Sequence, residues 1–187
     1  VLLAVQAPSQ NVLKTLKRGS ILCGLLSPYS NPSLAKALEL GGITAISLEL
    51  LPRISRAQSA DALSSQANIA GYKSVLIASG ALDRYFPMLM TAAGTVQPAR
   101  VLVLGAGVAG LQAVATARRL GAMVFVSDIR PAVKEQVESL GARFVDPPPM
   151  EDEAPESGGY AKQSSERFLA AQREQLANLL AETDVAI

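Results

Sequence analysis

The sequence predicts an α/β fold built from two doubly wound parallel sheets, the first of them incomplete at its amino-terminal end. Throughout the 187 residues, short apolar segments alternate with helical ones, which is typical of parallel strands covered by helices. Residues 101–110, VLVLGAGVAG, form a strand-like run that leads into three closely spaced glycines and then into an apolar helix. We therefore predict two Rossmann-like domains, at residues 1–65 and 66–187, the second truncated at its carboxyl end.

The first domain is predicted to run as strand, helix, strand, helix, strand. Ser9 precedes the first helix as its cap, Gly19 ends that helix, and Gly42 ends the second. Short connections of this kind favour a parallel sheet. The predicted strands are residues 1–5, 20–26 and 43–50, and the predicted helices are residues 10–17 and 33–40.

The second domain is predicted to open with a long helix over residues 60–77, a short helix over 84–90 and a loop over 93–98. Apolar runs and helix signals then alternate in a βαβ pattern. The predicted strands are residues 100–104, 123–127, 143–145 and 184–187, and the helices are residues 108–120, 131–140 and 164–181.

Composition excludes several classes of protein. The 17 basic and 16 acidic residues give a net charge of +1 and are spread along the chain, so no nucleic-acid surface is expected. A single cysteine, Cys23, supports neither an internal disulfide nor a metal cluster, and no metal site is predicted. No apolar run reaches the roughly eighteen residues of a membrane span, which predicts a soluble segment. Because the chain opens on an apolar strand and stops within another, we expect a longer polypeptide.

The glycine-rich run has the spacing of a dinucleotide-binding loop. Gly105 permits the tight turn from strand to helix, and Gly107 lets backbone N–H groups approach a pyrophosphate. Gly110 lets the helix pack close to the strand, and the helix N-terminus attracts phosphate. We therefore predict that Val108 and Ala109, which open the helix, bind the cofactor together with the three glycines. An ordinary strand-to-helix turn is the alternative.

Asp128 closes the strand that follows this helix, where an acidic side chain accepts hydrogen bonds from the adenosine ribose. A carboxylate at this position repels a 2′-phosphate, so the sequence predicts NAD(H) over NADP(H). Ile129 and Arg130 come next and are included in the predicted cofactor site. An arginine here can instead serve a phosphate, although a solvated surface position is favoured for Arg130.

A polar loop over residues 51–66 follows the third predicted strand, at the sheet edge where α/β proteins bind ligands. Its amide can pair with the carboxamide of nicotinamide, and its other groups can hold one another or a ribose. The alternative is a helix cap at Ser59, with an acidic residue stabilising the first turn. The candidate catalytic residues of this loop are Arg53, Gln58, Asp61 and Ser64.

A long connection over residues 146–164 interrupts the βαβ pattern. Such loops are typically functional lids or disordered segments. Tyr160 follows two glycines, and a ring on a flexible hinge is suited to closing over a planar ligand. We therefore predict that Tyr160 belongs to a mobile lid, with an inert linker as the alternative.

Several loop motifs are more specific than the fold requires, namely SRAQS at 55–59, GVAGLQA at 107–113, KEQVESLG at 134–141 and GGYAK at 158–162. In these motifs the chain is similar to the NAD(H)-binding component of proton-translocating nicotinamide nucleotide transhydrogenases. The resemblance implies NAD(H) in the cleft between two Rossmann-like domains, with Gln58 contacting the nicotinamide carboxamide, Asp128 the ribose, and Tyr160 in the closing loop. It also implies a homodimer that works with an NADP(H)-binding domain and a membrane proton-channel domain. The site would then be a soluble domain beside a membrane, on the cytoplasmic face in bacteria or the matrix side in mitochondria.

Alanine dehydrogenases share this fold and are the enzymatic alternative, while a non-catalytic NAD(H)-sensing module is the other. Alanine dehydrogenases carry a catalytic histidine in a Leu-His-Leu-Ala stretch, where this chain has Leu25, Leu26, Ser27 and Pro28. The chain contains no histidine. Oxidation of an amine or alcohol requires a general base, whereas hydride transfer between two nicotinamides requires orientation and exclusion of water. The sequence therefore favours transhydrogenation.

Overall fold

The computed structural model describes residues 1–148 and 166–187 and separates into two units, Val1–Gln66 and Ala67–Ile187. Each unit contains a parallel β-sheet with helices in the connections between strands. The predicted α/β fold with parallel sheets is therefore confirmed. No helix in the described ranges combines the length and the apolar character that crossing a bilayer requires.

The sheet of the first unit has three parallel strands, which lie side by side in chain order. Ser9 stands before the first helix without a side-chain hydrogen bond to it, and Gly42 ends the second helix in a left-handed conformation. Leucines form the core, because Leu13, Leu22, Leu26, Leu34 and Leu38 pack together. The elements are β1 (Leu2–Gln6), α1 (Gln10–Thr15), β2 (Ile21–Leu25), α2 (Pro32–Gly41) and β3 (Thr44–Ser47).

The third strand is shorter than predicted. It was expected over residues 43–50, but the chain turns into a 3₁₀ helix at Leu48–Leu50. The Glu49 carboxylate explains the turn, since it accepts hydrogen bonds from the Ser47 hydroxyl (2.7 Å) and from the Ser27 N–H. A second 3₁₀ helix, Ser55–Ala60, lies in the polar loop that follows.

A β-hairpin replaces the predicted short helix and loop of the second unit, so that prediction is wrong. β4 (Leu89–Thr91) and β5 (Gly94–Val96) pair in antiparallel fashion. Gly94 closes the turn at φ +123°, and the Thr91 hydroxyl donates to the Gly94 carbonyl oxygen at 3.0 Å. The helix predicted over 131–140 is also modified, because its first turn, Pro131–Val133, is 3₁₀.

The sheet of the second unit has four parallel strands. Its central strands are buried on both faces, which explains their continuous apolar sequence. Across the sheet the strands are β8 (Arg143–Val145), β7 (Met123–Ser127), β6 (Arg100–Leu104) and β9 (Val185–Ala186). The helices are α3 (Ala62–Ala81), which begins before the boundary, α4 (Val108–Arg119), α5 (Lys134–Ser139) and α6 (Glu166–Leu180). The core valines, each at most 1% exposed, are Val101, Val103, Val114, Val124, Val126 and Val137.

The carboxyl ends of β6 and β7 lie level, since Leu104 pairs with Ser127. β9 is held to β6 from the opposite edge, where the Asp184 carboxylate accepts from the Arg100 N–H at 2.7 Å and from the Arg84 guanidinium at 2.8 Å. The carboxyl edge of this sheet is therefore a rigid platform for the loop that leaves β6.

Candidate functional site

The glycine loop after β6 begins with a residue whose backbone favours glycine. Gly105 has φ +98°, a region that L side chains rarely adopt. Its N–H donates to the Ser127 carbonyl oxygen at 2.8 Å, and the Leu104 N–H donates to the Ile187 carbonyl oxygen at 2.8 Å. The turn is therefore tied to both neighbouring strands.

Two further glycines of the loop differ sharply in their surroundings. A Cβ placed on Gly110 would lie 1.8 Å from the Gly105 carbonyl oxygen, so α4 can approach the turn only because that side chain is absent. A Cβ placed on Gly107 would meet no atom within 4 Å. Gly110 is thus required by the packing of the protein, whereas packing leaves the space beside Gly107 open.

The N-terminus of α4 faces this opening. Gly107 occupies the N-cap position and no side chain caps the helix, so the first N–H groups of α4, including those of Val108 and Ala109, have no partner within the helix. They carry the positive end of the helix dipole, which favours an anion. The open space, the backbone donors and the turn together fit the pyrophosphate of a dinucleotide.

The sequence-predicted Asp128 lies at the end of β7 beside the loop, and only 7% of the residue is exposed. Its Oδ2 accepts a hydrogen bond from the Ala106 N–H at 2.7 Å, and its Oδ1 accepts one from the Arg130 N–H at 2.9 Å. The carboxylate therefore ties the strand end to the glycine loop. The sequence did not single out Ala106, because its contribution is a backbone N–H.

Arg130 is not the solvated surface residue that the sequence favoured. Its Nε donates to Oδ1 of Asp128 at 3.0 Å and its Nη2 donates to Oδ2 at 2.9 Å, so the guanidinium holds the carboxylate in a bidentate pair. The side chain is 26% exposed, against 5% for Asp128. Ile129, between them, is half-buried.

The charge state of Asp128 follows from these contacts. Burial alone would raise the pKa of its carboxyl group. The hydrogen bonds from the Arg130 guanidinium, the Ala106 N–H and the Arg130 N–H, together with the positive charge of Arg130, outweigh burial and hold the pKa below its usual value. The group is therefore ionised at neutral pH and remains an acceptor.

The polar loop of the first unit surrounds a cavity of about 260 Å³. The Gln58 amide is exposed, and no hydrogen bond joins it to another side chain or backbone group within the described part of the chain. Arg53 is also exposed at this cavity. Of the four predicted catalytic residues, the structure gathers Arg53, Gln58 and Asp61 in the lining, together with Pro52, Ile54, Ser55 and Ala57.

Asp61 has a structural role, since it caps α3. Its Oδ1 accepts from the Ser64 N–H at 2.9 Å, and its Oδ2 accepts from the Ser64 hydroxyl at 2.6 Å. These hydrogen bonds, with a smaller contribution from the charge of Arg53, lower the pKa of Asp61. The sequence expected the cap at Ser59, which instead lies within the 3₁₀ helix. Ser64 keeps a hydroxyl oxygen that can accept from a ligand.

The carboxyl edge of the first sheet carries a cluster that the sequence did not predict. Ser27 has a positive φ of 49°, and its N–H donates to the Glu49 carboxylate. Burial would raise the pKa of Glu49, but hydrogen bonds from the Ser47 hydroxyl and nearby backbone N–H groups lower it. The end of β2, where alanine dehydrogenases carry their histidine, is thus fixed by a serine and an ionised glutamate.

Tyr160, predicted to belong to a lid, lies outside the described residues. The remaining predicted cofactor residues of the second unit, from Gly105 to Gly110 and from Asp128 to Arg130, converge on the carboxyl edge of one sheet.

Comparison with known proteins places these features in a wider context. Residues 1–70 match the family described as "Alanine dehydrogenase/PNT, N-terminal domain", and residues 74–187 match "Alanine dehydrogenase/PNT, C-terminal domain". In Rhodospirillum rubrum the alpha subunit of NAD(P) transhydrogenase is named in separate parts, and the chain is 52% identical over 176 residues to the first of them. That match covers 92% of this chain and 45% of the Rhodospirillum rubrum protein.

Solved structures give the same ordering. The transhydrogenase of Sinorhizobium meliloti superposes with a TM-score of 0.83 at 44% identity, covering 97% of this chain and 48% of that one. An L-alanine dehydrogenase superposes with a TM-score of 0.63 at 25% identity, covering 74% of this chain and 40% of that one. The resemblance to transhydrogenases is confirmed, and the chain spans about half the length of the relatives it matches.

Proposed function

The chain belongs to the alanine dehydrogenase/PNT family, and from that premise we propose that it is the NAD(H)-binding part of a transhydrogenase. In this proposal, NADH on this chain reduces NADP⁺ held by a partner domain, giving NAD⁺ and NADPH. The observation that carries it is the glycine loop: the space beside Gly107 is open, the α4 N-terminus faces it, and the ionised Asp128 adjoins it.

The residues of the second unit would bind the adenosine and pyrophosphate portion. The glycines Gly105, Gly107 and Gly110, with Val108 and Ala109, bring backbone N–H groups to the phosphates. Asp128 accepts from the ribose hydroxyls and, being negative, disfavours a 2′-phosphate, which supports NAD(H) on this chain. Ile129 and Arg130 border the ribose, and Tyr160 covers the nucleotide as part of a mobile loop.

The residues of the polar loop would orient the reactive ring. Bound NADH supplies a hydride from C4 of its nicotinamide. The exposed Gln58 amide has both a donor and an acceptor, which match those of the ring carboxamide. Arg53 and Ser64 offer further hydrogen bonds, while Asp61 holds Ser64 in place. None of these groups has to accept a proton, because orientation and exclusion of water suffice for transfer between two nicotinamides.

We also propose that the complete protein is a homodimer associated with an NADP(H)-binding domain and a membrane proton channel, at the cytoplasmic or matrix face of a membrane. The name of the Rhodospirillum rubrum relative, a subunit, supports partner chains. Coupling of the transfer to proton movement would take place in those partners.

A three-way assay tests the proposal against its alternatives. The intact protein is mixed with NADH, an NAD⁺ analogue and a candidate NADP(H)-binding partner, and separately with alanine and NAD⁺. We expect hydride transfer that depends on the partner. NADH formation from alanine without a partner would instead identify an alanine dehydrogenase, and NADH binding without turnover in either mixture would identify a sensing module.

A further inference from the structure

The Asp128 carboxylate is fully occupied by donors from its own chain. Its Oδ1 accepts from the Arg130 N–H at 2.9 Å and from the Arg130 Nε at 3.0 Å. Its Oδ2 accepts from the Ala106 N–H at 2.7 Å and from the Arg130 Nη2 at 2.9 Å. An ionised carboxylate offers about four lone-pair sites. A ribose hydroxyl that donates to Asp128 must therefore replace one of these donors.

The four donors differ in how readily they can leave. The N–H groups of Ala106 and Arg130 belong to the backbone, and the neighbouring Gly105 N–H is itself bound to the Ser127 carbonyl oxygen. The two guanidinium N–H groups belong to a long side chain. That side chain is 26% exposed, whereas the carboxylate it covers is 5% exposed, so the guanidinium lies between Asp128 and solvent.

We propose that the Arg130 guanidinium holds the place of the adenosine ribose diol on Asp128 and is displaced when the nucleotide binds. This inference rests on the proposed binding of NAD(H) at the glycine loop. Two guanidinium N–H donors leave and two ribose hydroxyls replace them, so the buried carboxylate keeps its hydrogen bonds in both states. An unsatisfied buried carboxylate would be strongly unfavourable, which gives the empty site a reason to hold a substitute.

The exchange also sharpens the selectivity of the site. A nucleotide with a 2′-phosphate has lost one of the two hydroxyl donors and brings negative charge to the carboxylate. It cannot complete the exchange, so Arg130 would stay on Asp128. The arginine thus makes the site demand a complete diol, in addition to the repulsion from Asp128 itself.

Binding of ADP and of 2′,3′-dideoxy-ADP to the intact protein and to its Arg130→Met variant tests this inference. Methionine keeps most of the side-chain stem and the backbone N–H but removes the competing fork. The readout is the ratio of the two dissociation constants in each protein, because the lost positive charge affects both ligands equally. Removal of the hydroxyls should weaken binding more in the variant, by roughly three- to tenfold in that ratio. An Arg130→Lys variant, which keeps the charge but not the fork, should show an intermediate ratio.

An equal ratio in the intact protein and the methionine variant would overturn the inference, as would a smaller ratio in the variant. Absence of ADP and NADH binding to the intact protein would overturn both the proposed function and this inference. A measurement on the unaltered protein guards against misfolding of the variants: the NMR resonance of the Arg130 Nε–H should shift on addition of ADP and stay in place with dideoxy-ADP. An Nε–H resonance that ADP leaves unmoved would also contradict the exchange.

Discussion

The glycine loop of the second unit and the polar loop of the first unit are held in different ways. Gly105, Gly110 and Asp128 are fixed by close backbone approach and by hydrogen bonds to buried strands. Arg53 and Gln58 are exposed side chains at the edge of a cavity. Residues of the first kind are needed by the fold and by the ligand, whereas Arg53 and Gln58 are needed only by the ligand. The contrast teaches that stability and function can be separated in the polar loop more readily than in the glycine loop.

The largest loss of stability is expected within the glycine loop itself. Replacement of Gly110 by alanine places a Cβ 1.8 Å from the Gly105 carbonyl oxygen, and both atoms belong to backbone that cannot move independently. We expect the free energy of unfolding to fall by about 3 kcal/mol or more, measured by urea denaturation. Unchanged stability would show that the loop is not packed as described.

The matched control is Gly107→Ala, which has open space and a φ of −79° that alanine adopts freely. We expect its stability to change by no more than about 0.5 kcal/mol. Its NADH affinity should fall roughly tenfold or more, because the added methyl group occupies the approach to the pyrophosphate. Unaltered affinity in this variant would remove the assignment of the pyrophosphate site.

A smaller loss is expected for Asp128→Asn, which breaks the pair with Arg130. We expect a loss of about 2 kcal/mol at pH 7, reduced from a fully buried pair by the partial exposure of the arginine. Since the pKa of Asp128 is lowered in the folded state, its stabilising contribution is complete above the unfolded pKa of about 4. The stability difference from the variant should then shrink as pH falls through the lower, folded pKa. A difference that stays constant or grows under acid would contradict the assigned pKa direction.

The smallest effect on stability, and the clearest effect on turnover, is expected for Gln58→Leu. The exposed amide supports no packing, so the free energy of unfolding should change by less than about 0.5 kcal/mol. Hydride transfer should slow much more than NADH binding weakens, because the lost interaction orients the ring. Gln10→Leu, an exposed glutamine at the start of α1, is the control and should alter neither rate nor affinity. Equal losses in transfer and binding for Gln58→Leu would argue against an orienting role.

The same contrast explains which parts of the fold could be predicted from the sequence. β6 and β7 are central buried strands, so their continuous apolar runs mark them clearly. The hairpin of β4 and β5 was missed because its strands have three residues each, too few for an alternating pattern to emerge. β3 was predicted too long, since its end depends on hydrogen bonds to Glu49 from a different strand end and cannot be inferred from local sequence.

Prediction of the site followed the same division. The spacing of Gly105, Gly107 and Gly110 carries backbone requirements that are written directly in the sequence. The bidentate grip of Arg130 on Asp128 depends on a guanidinium orientation that the spacing does not specify, so a solvated arginine was expected instead. Asp61 caps α3 because the helix begins one residue after it, and a shift of two residues in that boundary had favoured Ser59. The role of Gln58 remains a prediction.

The most direct test of the account follows the hydride itself. NADH deuterated at the transferred C4 position is mixed with the intact protein, its NADP(H)-binding partner and NADP⁺, and the reduced product is examined by mass spectrometry and NMR. The account predicts that the deuterium arrives at C4 of NADPH without replacement by solvent hydrogen. A product that carries solvent hydrogen, or no transfer while NADH is bound, would contradict direct transfer between two nicotinamides.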